Sequence, residues 1–266
     1  MGRPGRKWPA VLSLLLLWAA AGSSVAGESS RWDEIRAMLF DDRPLADGTA
    51  VLELEAPQRA LDAALVPVRI RARAGAPPIR TLWLVIDENP APVAAVFRLD
   101  PELARADIET RVRVNSYTPV HAVAEAVDGR LFVVARFVKA AGGCSAPGTR
   151  DRGEALARVG RMKIRPLEPV VAGRPVRVKI KIAHPNYTGL QIDQLTRQWI
   201  PPDYVTRVRL RLAGRTAVEV ESDISISEDP TFLVTLVPPG EVELGVEVED
   251  SSDRRFARSV RLVPEA

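Results

Sequence analysis

The 266 residues are 46% hydrophobic and 27% charged, ordinary for a globular chain and enough apolar material for one large core or two small ones. Twenty-two prolines and many short valine-rich runs argue against an all-helical fold. Of the 37 basic residues, Arg3, Arg6 and Lys7 fall in a leader expected to be removed; the 34 that remain balance the 34 acidic ones, so there is no electrostatic case for nucleic acid as a partner.

The leader begins with those three cations and continues through an apolar stretch over residues 11–21 to the small residues of Ser24-Val25-Ala26. This is the pattern of a secretory signal peptide over residues 1–26, with cleavage expected near Ala26. The apolar stretch is too short to span a bilayer comfortably, so no stable membrane insertion is expected. No cysteine follows it, which argues against a lipoprotein.

Trp32, Ile35, Met38 and Leu39 recur at spacings of three and four, predicting an amphipathic helix over Arg31–Phe40, followed by a turn at 41–48. From about residue 50 the period becomes two. Val68, Ile70 and Ala72 alternate with Arg69, Arg71 and Arg73. Further strands are predicted at 81–87, 94–99 and 108–114, and a hairpin joins 120–127 to 131–138 through Asp128-Gly129. About seven short strands in roughly 90 residues is the spacing of an immunoglobulin-like sandwich.

The pattern stops between 139 and 160, where five glycines suggest a flexible linker with a brief helix near 152–159. A second alternating block starts at Arg161. It includes 176–182, the Arg207, Arg209, Arg211 stripe, 216–220, 232–236, 242–248 and 256–262. The expected fold class is therefore all-β. Two immunoglobulin-like sandwiches, 27–138 and 161–266, stand in tandem after a short helix, joined by a glycine-rich arm over 139–160 and paired within the molecule. Glu53, Glu55, Glu247, Glu249 and Asp250 read as solvent faces of strands.

Cys144 is the only cysteine, so no internal disulfide can form, and an exported chain with one thiol suggests a reactive group or an intermolecular bond. It lies in Ala140-Ala141-Gly142-Gly143-Cys144-Ser145-Ala146-Pro147-Gly148. No large apolar side chain lies within three residues to anchor this segment in a core. Gly142 and Gly143 free the backbone, and Pro147 prevents pairing as a central strand. The expectation is an exposed thiol on a mobile arm formed with Gly142, Gly143 and Ser145. A catalytic cysteine needs a fixed base, and only His121 and His184 are available, with nothing in the sequence bringing either to Cys144. A swinging thiol suits a carrier better. Two distant histidines and one cysteine give no metal-ligand spacing, and no phosphate loop or dinucleotide fingerprint is present, so neither metal nor cofactor is expected.

At this motif the chain resembles SoxY, the sulfur-carrier subunit of bacterial thiosulfate oxidation. The second half resembles its partner subunit SoxZ, from His184-Pro185 through Thr188-Gly189, the Asp193 region and Ile200-Pro201-Pro202 to Asp229-Pro230. Gly142 to Pro147 and the Ile224 to Pro230 run Ile-Ser-Ile-Ser-Glu-Asp-Pro make the fused chain similar to the SoxYZ-like carriers associated with quinoprotein dehydrogenases. The resemblance implies a periplasmic, non-enzymatic carrier that holds a sulfur-containing intermediate on Cys144. Its partners would be periplasmic redox enzymes, of Sox type or a quinoprotein dehydrogenase. In SoxY the cysteine arm ends the chain; here it is tethered at both ends and its reach is shorter. His184 sits in the turn-like His-Pro-Asn-Tyr-Thr-Gly, either as a plain turn residue or as a contact for the arm or the interface. Two other readings stand beside the carrier: an accessory module for a periplasmic dehydrogenase with no covalent cargo, and a thiol enzyme using His121 or His184.

Overall fold

The computed structural model describes residues 1–2 and 30–264; the expected signal peptide, apart from its first two residues, lies outside the described residues. A helix, α1 (Arg31–Phe40), opens the described chain, fixed at its start by a capping box between Ser30 and Asp33. Eight strands follow: β1 (Leu45–Asp47), β2 (Leu52–Glu55), β3 (Val66–Ala72), β4 (Ile79–Ile86), β5 (Val93–Leu99), β6 (Ala104–Val112), β7 (Thr118–Ala126) and β8 (Leu131–Val138). After the cysteine segment comes a short helix, α2 (Arg152–Ala157). The second half then supplies β9 (Met162–Pro166), β10 (Val176–Ile182), β11 (Val205–Leu212), β12 (Arg215–Ser222), β13 (Thr231–Leu236), β14 (Val242–Asp250) and β15 (Arg255–Leu262).

The strands form two layers. One sheet has nine strands in the order β1-β8-β7-β4-β5-β12-β11-β14-β15, and the other has six in the order β2-β3-β6-β13-β10-β9. Each sheet crosses from the first half of the chain to the second without a break. In the larger sheet β5 pairs antiparallel with β12, Phe97 opposite Val220; in the smaller β6 pairs antiparallel with β13, Ile108 opposite Val234. The tandem sandwiches thus lie side by side as one long two-layer body.

Period-two burial supplies the reason. Along β10, Val176, Val178, Ile180 and Ile182 are buried between less buried Arg177, Lys179 and Lys181, as the alternation predicts. One apolar core fills the space between the sheets along both halves, and Phe97 of β5 meets Phe232 of β13 edge-to-face at 6.2 Å. Burying a Val or Leu side chain contributes about 1.5–3 kcal/mol. A smaller cluster lies on the other face of the large sheet, where Phe40 of α1 packs with Val123, Leu131 and Trp83.

Two expectations are corrected here. The stretch 41–48 is not all turn: Leu45–Asp47 pairs parallel with the start of β8. Asp250 is not on a solvent face; it is buried, because Arg254 and His184 surround its carboxylate. The Arg207, Arg209, Arg211 stripe does lie outward, where it faces Glu219, Glu249 and Glu247 across β11–β12 and β11–β14 at 3.1–3.6 Å.

Candidate functional site

The seam between the halves is stitched by polar side chains as well as by the sheets. Ser225 and Ser227, from the Ile-Ser-Ile-Ser-Glu-Asp-Pro run, cross to the first half. The Arg113 amide donates to the Ser225 carbonyl at 2.8 Å, and the Ser227 amide to that of Arg111 at 3.1 Å. The Ser227 hydroxyl donates to the Ala64 carbonyl at 2.7 Å. Asn89, also buried, donates through its amide to the Arg113 carbonyl at 2.7 Å and to the Ser225 hydroxyl at 2.9 Å. These bonds fix the chain leaving β6 in an irregular path that buries Val112, Arg113 and Val114 together.

The Cys144 segment packs against that path. Cys144 is fully buried, and its segment is seated against the seam by hydrogen bonds from both halves. The Gly142 and Gly143 amides donate to the carbonyls of Asn115 and Val114, both at 2.9 Å. Arg113 Nη1 donates to the Gly143 carbonyl at 3.1 Å. From the second half, Thr188 Oγ1 donates to the Cys144 carbonyl at 2.6 Å, and Gln191 Nε2 to the Ala146 carbonyl at 2.7 Å. Beyond them the Thr149 amide and hydroxyl both bond the Glu228 carboxylate.

The expected exposed thiol is therefore corrected: Cys144 is docked, because backbone carbonyls along the segment, not large apolar side chains, supply its anchors. The two glycines act through different constraints. Gly142 has a φ of 78°, the left-handed region that disfavours other residues. Gly143 presses so closely on the Ala63 and Val114 carbonyls that a Cβ there would overlap them. Ser145 is exposed and turns its hydroxyl back to the Gly142 carbonyl at 3.3 Å.

Burial pushes the Cys144 thiol up to about 11, opposed in part by the Arg113 guanidinium. Docked, the group is a neutral thiol and a poor nucleophile. Arg113 is itself only 1% exposed, and burial holds its pKa below the usual arginine range, offset by the charges of Glu228, Cys144 and Asp62.

Neither histidine is bonded to Cys144 among the described residues. His121 Nδ1 lies 2.9 Å from the Asp87 carboxylate, and its ring stacks on that of Trp32, with centroids 3.8 Å apart. His184 is buried in a charged network. Its Nδ1 accepts from the Asn186 amide at 3.1 Å, and its Nε2 faces Asp250 at 3.4 Å and Arg254 at 3.3 Å. Burial lowers its pKa, against the pull of Asp203 and Asp250. His184, Asp203 and Asp250 are close enough to suggest a cation site, but Arg254 already supplies the positive charge, 2.6 Å from Asp203 and 2.7 Å from Asp250. His184 thus braces the turn whose Thr188 holds the arm, and with Gly148 it lines a small cleft beneath the segment.

Sequence reasoning missed Arg113, Thr188 and Gln191 as parts of this site. Thr188 lay within a quoted motif; Arg113 looked like one more cation alternating with valines.

Two sandwiches sharing both sheets, with a single thiol seated at their seam, define a class of tandem immunoglobulin-like proteins organised around one cysteine. Family models place the chain more closely: residues 36–144 match sulfur oxidation protein SoxY, and residues 164–261 match sulphur oxidation protein SoxZ. The chain thus carries a SoxY-matching and a SoxZ-matching segment fused in one polypeptide, and the SoxY match ends at Cys144 itself. Among solved structures, the sulfur carrier protein SoxY from Chlorobium limicola f thiosulfatophilum is 26% identical over 41% of this chain and 94% of its own, with a TM-score of 0.36. A glycosyl hydrolase family 2 member from Bacteroides cellulosilyticus DSM 14838 is 8% identical, covering 85% of this chain and 30% of its own, with a TM-score of 0.23. No curated protein sequence matches the chain.

Proposed function

We propose that the protein is a periplasmic covalent carrier that holds a sulfur-containing intermediate on the thiol of Cys144 and presents it to partner enzymes, without turnover of its own. The observation that carries this reading is the seating of Cys144 at the seam of a SoxY and a SoxZ segment, by hydrogen bonds to the backbone of its own segment. A segment held by backbone bonds can leave and return without dismantling either core, which a carrier requires and a fixed catalytic cysteine does not. The division into a leader at 1–26, sandwiches at 27–138 and 161–266 and an arm at 139–160 belongs to the same reading. So do export and partners drawn from Sox-type enzymes or a quinoprotein dehydrogenase.

The test is the intact mass of the mature protein purified from its native compartment, before and after reduction. A reducible added mass that is lost in Cys144→Ser supports the carrier, and its size names the cargo. A bare thiol in every preparation sinks it. The full burial of Cys144 favours one second reading, an accessory module for a periplasmic dehydrogenase with no covalent cargo. Capture of the dehydrogenase that survives Cys144→Ser, with no adduct found, would decide for that reading.

A further inference from the structure

Arg113 carries more charge-binding capacity than its surroundings use. It is among the largest fully buried side chains, yet only Nη1 has an acceptor, the Gly143 carbonyl. Nε and Nη2 are buried with no hydrogen-bond partner. Among the described residues it makes no ion pair within 4.0 Å. Glu228 is engaged by Thr149, and Asp62 accepts from the Ala64 amide. An unpaired buried guanidinium is costly, and an apolar side chain of similar volume would fill the space without that cost. The unused Nε–Nη2 edge is the one an arginine offers to a pair of anionic oxygens. Arg69 shows this in the same protein, gripping both oxygens of Asp107 at 2.8 and 3.0 Å through Nε and Nη2.

Building on the carrier reading, we propose that Arg113 is an anion-binding residue of the docked site, whose free Nε–Nη2 edge holds the terminal oxyanion, of sulfonate type, of the group carried on Cys144. The seat then selects cargo by charge. A sulfonate-tipped adduct docks and is sheltered, while a cationic adduct of the same length leaves a second positive charge beside a buried guanidinium and stays out.

The test loads Cys144 of the full mature chain with two probes of equal chain length, 2-sulfonatoethyl methanethiosulfonate and 2-(trimethylammonio)ethyl methanethiosulfonate. In each case the thiolate attacks the sulfenyl sulfur, an S–S bond forms and methanesulfinate leaves with the electron pair. Release by dithiothreitol is followed by intact mass and normalised to the same adducts on the urea-unfolded chain. The sulfonate adduct should be released about tenfold or more slowly than the ammonium adduct, as a charge-assisted pair implies. Arg113→Met should bring the ratio to about one, and Arg113→Lys should keep part of it. Equal release in the wild type, or undiminished discrimination in Arg113→Met, overturns the proposal. Should Arg113→Met fail to fold, the wild-type pair and Arg113→Lys decide alone. Loss of the carrier reading is seen separately, as a native protein that never bears cargo however its adducts behave.

Discussion

A methyl group on Gly143 would overlap the Ala63 and Val114 carbonyls, so Gly143→Ala acts on the docking of the arm and leaves the two cores alone. Overpacking of this kind costs about 1–3 kcal/mol. Iodoacetamide should therefore alkylate Cys144 of the variant roughly tenfold faster or more, with little change in Tm; wild-type alkylation rates would show that the seat has slack. The thiol makes a second prediction. Docking favours the neutral form, so the preference is complete below the ordinary thiol range near about 8.5 and is lost as pH rises toward about 11. Alkylation of the native protein should keep accelerating through pH 9–10, where the urea-unfolded chain has levelled off. Coincident pH profiles for the two would contradict a docked thiol.

At the level of elements, the arm is clamped by single polar side chains whose loss strands a carbonyl. Thr188→Val and Gln191→Ala each remove a side-chain bond to the arm, at Cys144 and Ala146, worth about 0.5–1.5 kcal/mol, together with one bond inside their own turn, from the Leu190 and Thr188 amides. Each should speed alkylation of Cys144 several-fold, and the pair together by more than either alone if the arm undocks as a unit, short of the full product because the Thr188 amide donates to Gln191 Oε1. A double variant no faster than either single one would mean that the two ends release separately. This clamp also marks where sequence reading ran out. The strands of β3, β10 and β11 were legible because alternating aliphatic and basic residues encode a buried and a solvated face directly. The seat of the arm has no such periodicity. Its side-chain anchors are Arg113, Thr188 and Gln191, which meet backbone carbonyls 30 to 45 positions away in the chain, and glycines needed for closeness look the same in sequence as glycines needed for freedom. The three-residue β1 was missed for a related reason: the strand it pairs with is parallel and distant, with no local alternation to announce it.

For the molecule as a whole, the all-β tandem architecture was legible from strand spacing, but the joining of the halves through β5–β12 and β6–β13 was not, because an edge strand and a seam strand carry the same period-two pattern. The seam makes those strands central. Val220 faces Val208 on one side and Phe97 on the other. Val220→Pro removes a ladder amide and sets a ring into the joint sheet, at a cost on the order of 3 kcal/mol. Urea unfolding should lose both halves in one transition at a lower midpoint; a change confined to residues of the second half would show that the halves unfold independently.

The halves that meet at the seam are covalently joined, and this bears on how their pairing responds to dilution. Two separate subunits meeting along such a joint would come apart as the surrounding medium thinned them out, since their pairing would follow mass action. In one polypeptide the joint forms at an effective concentration set by the connecting segment. Its integrity is then indifferent to dilution, and every molecule has one arm and one complete seat for it.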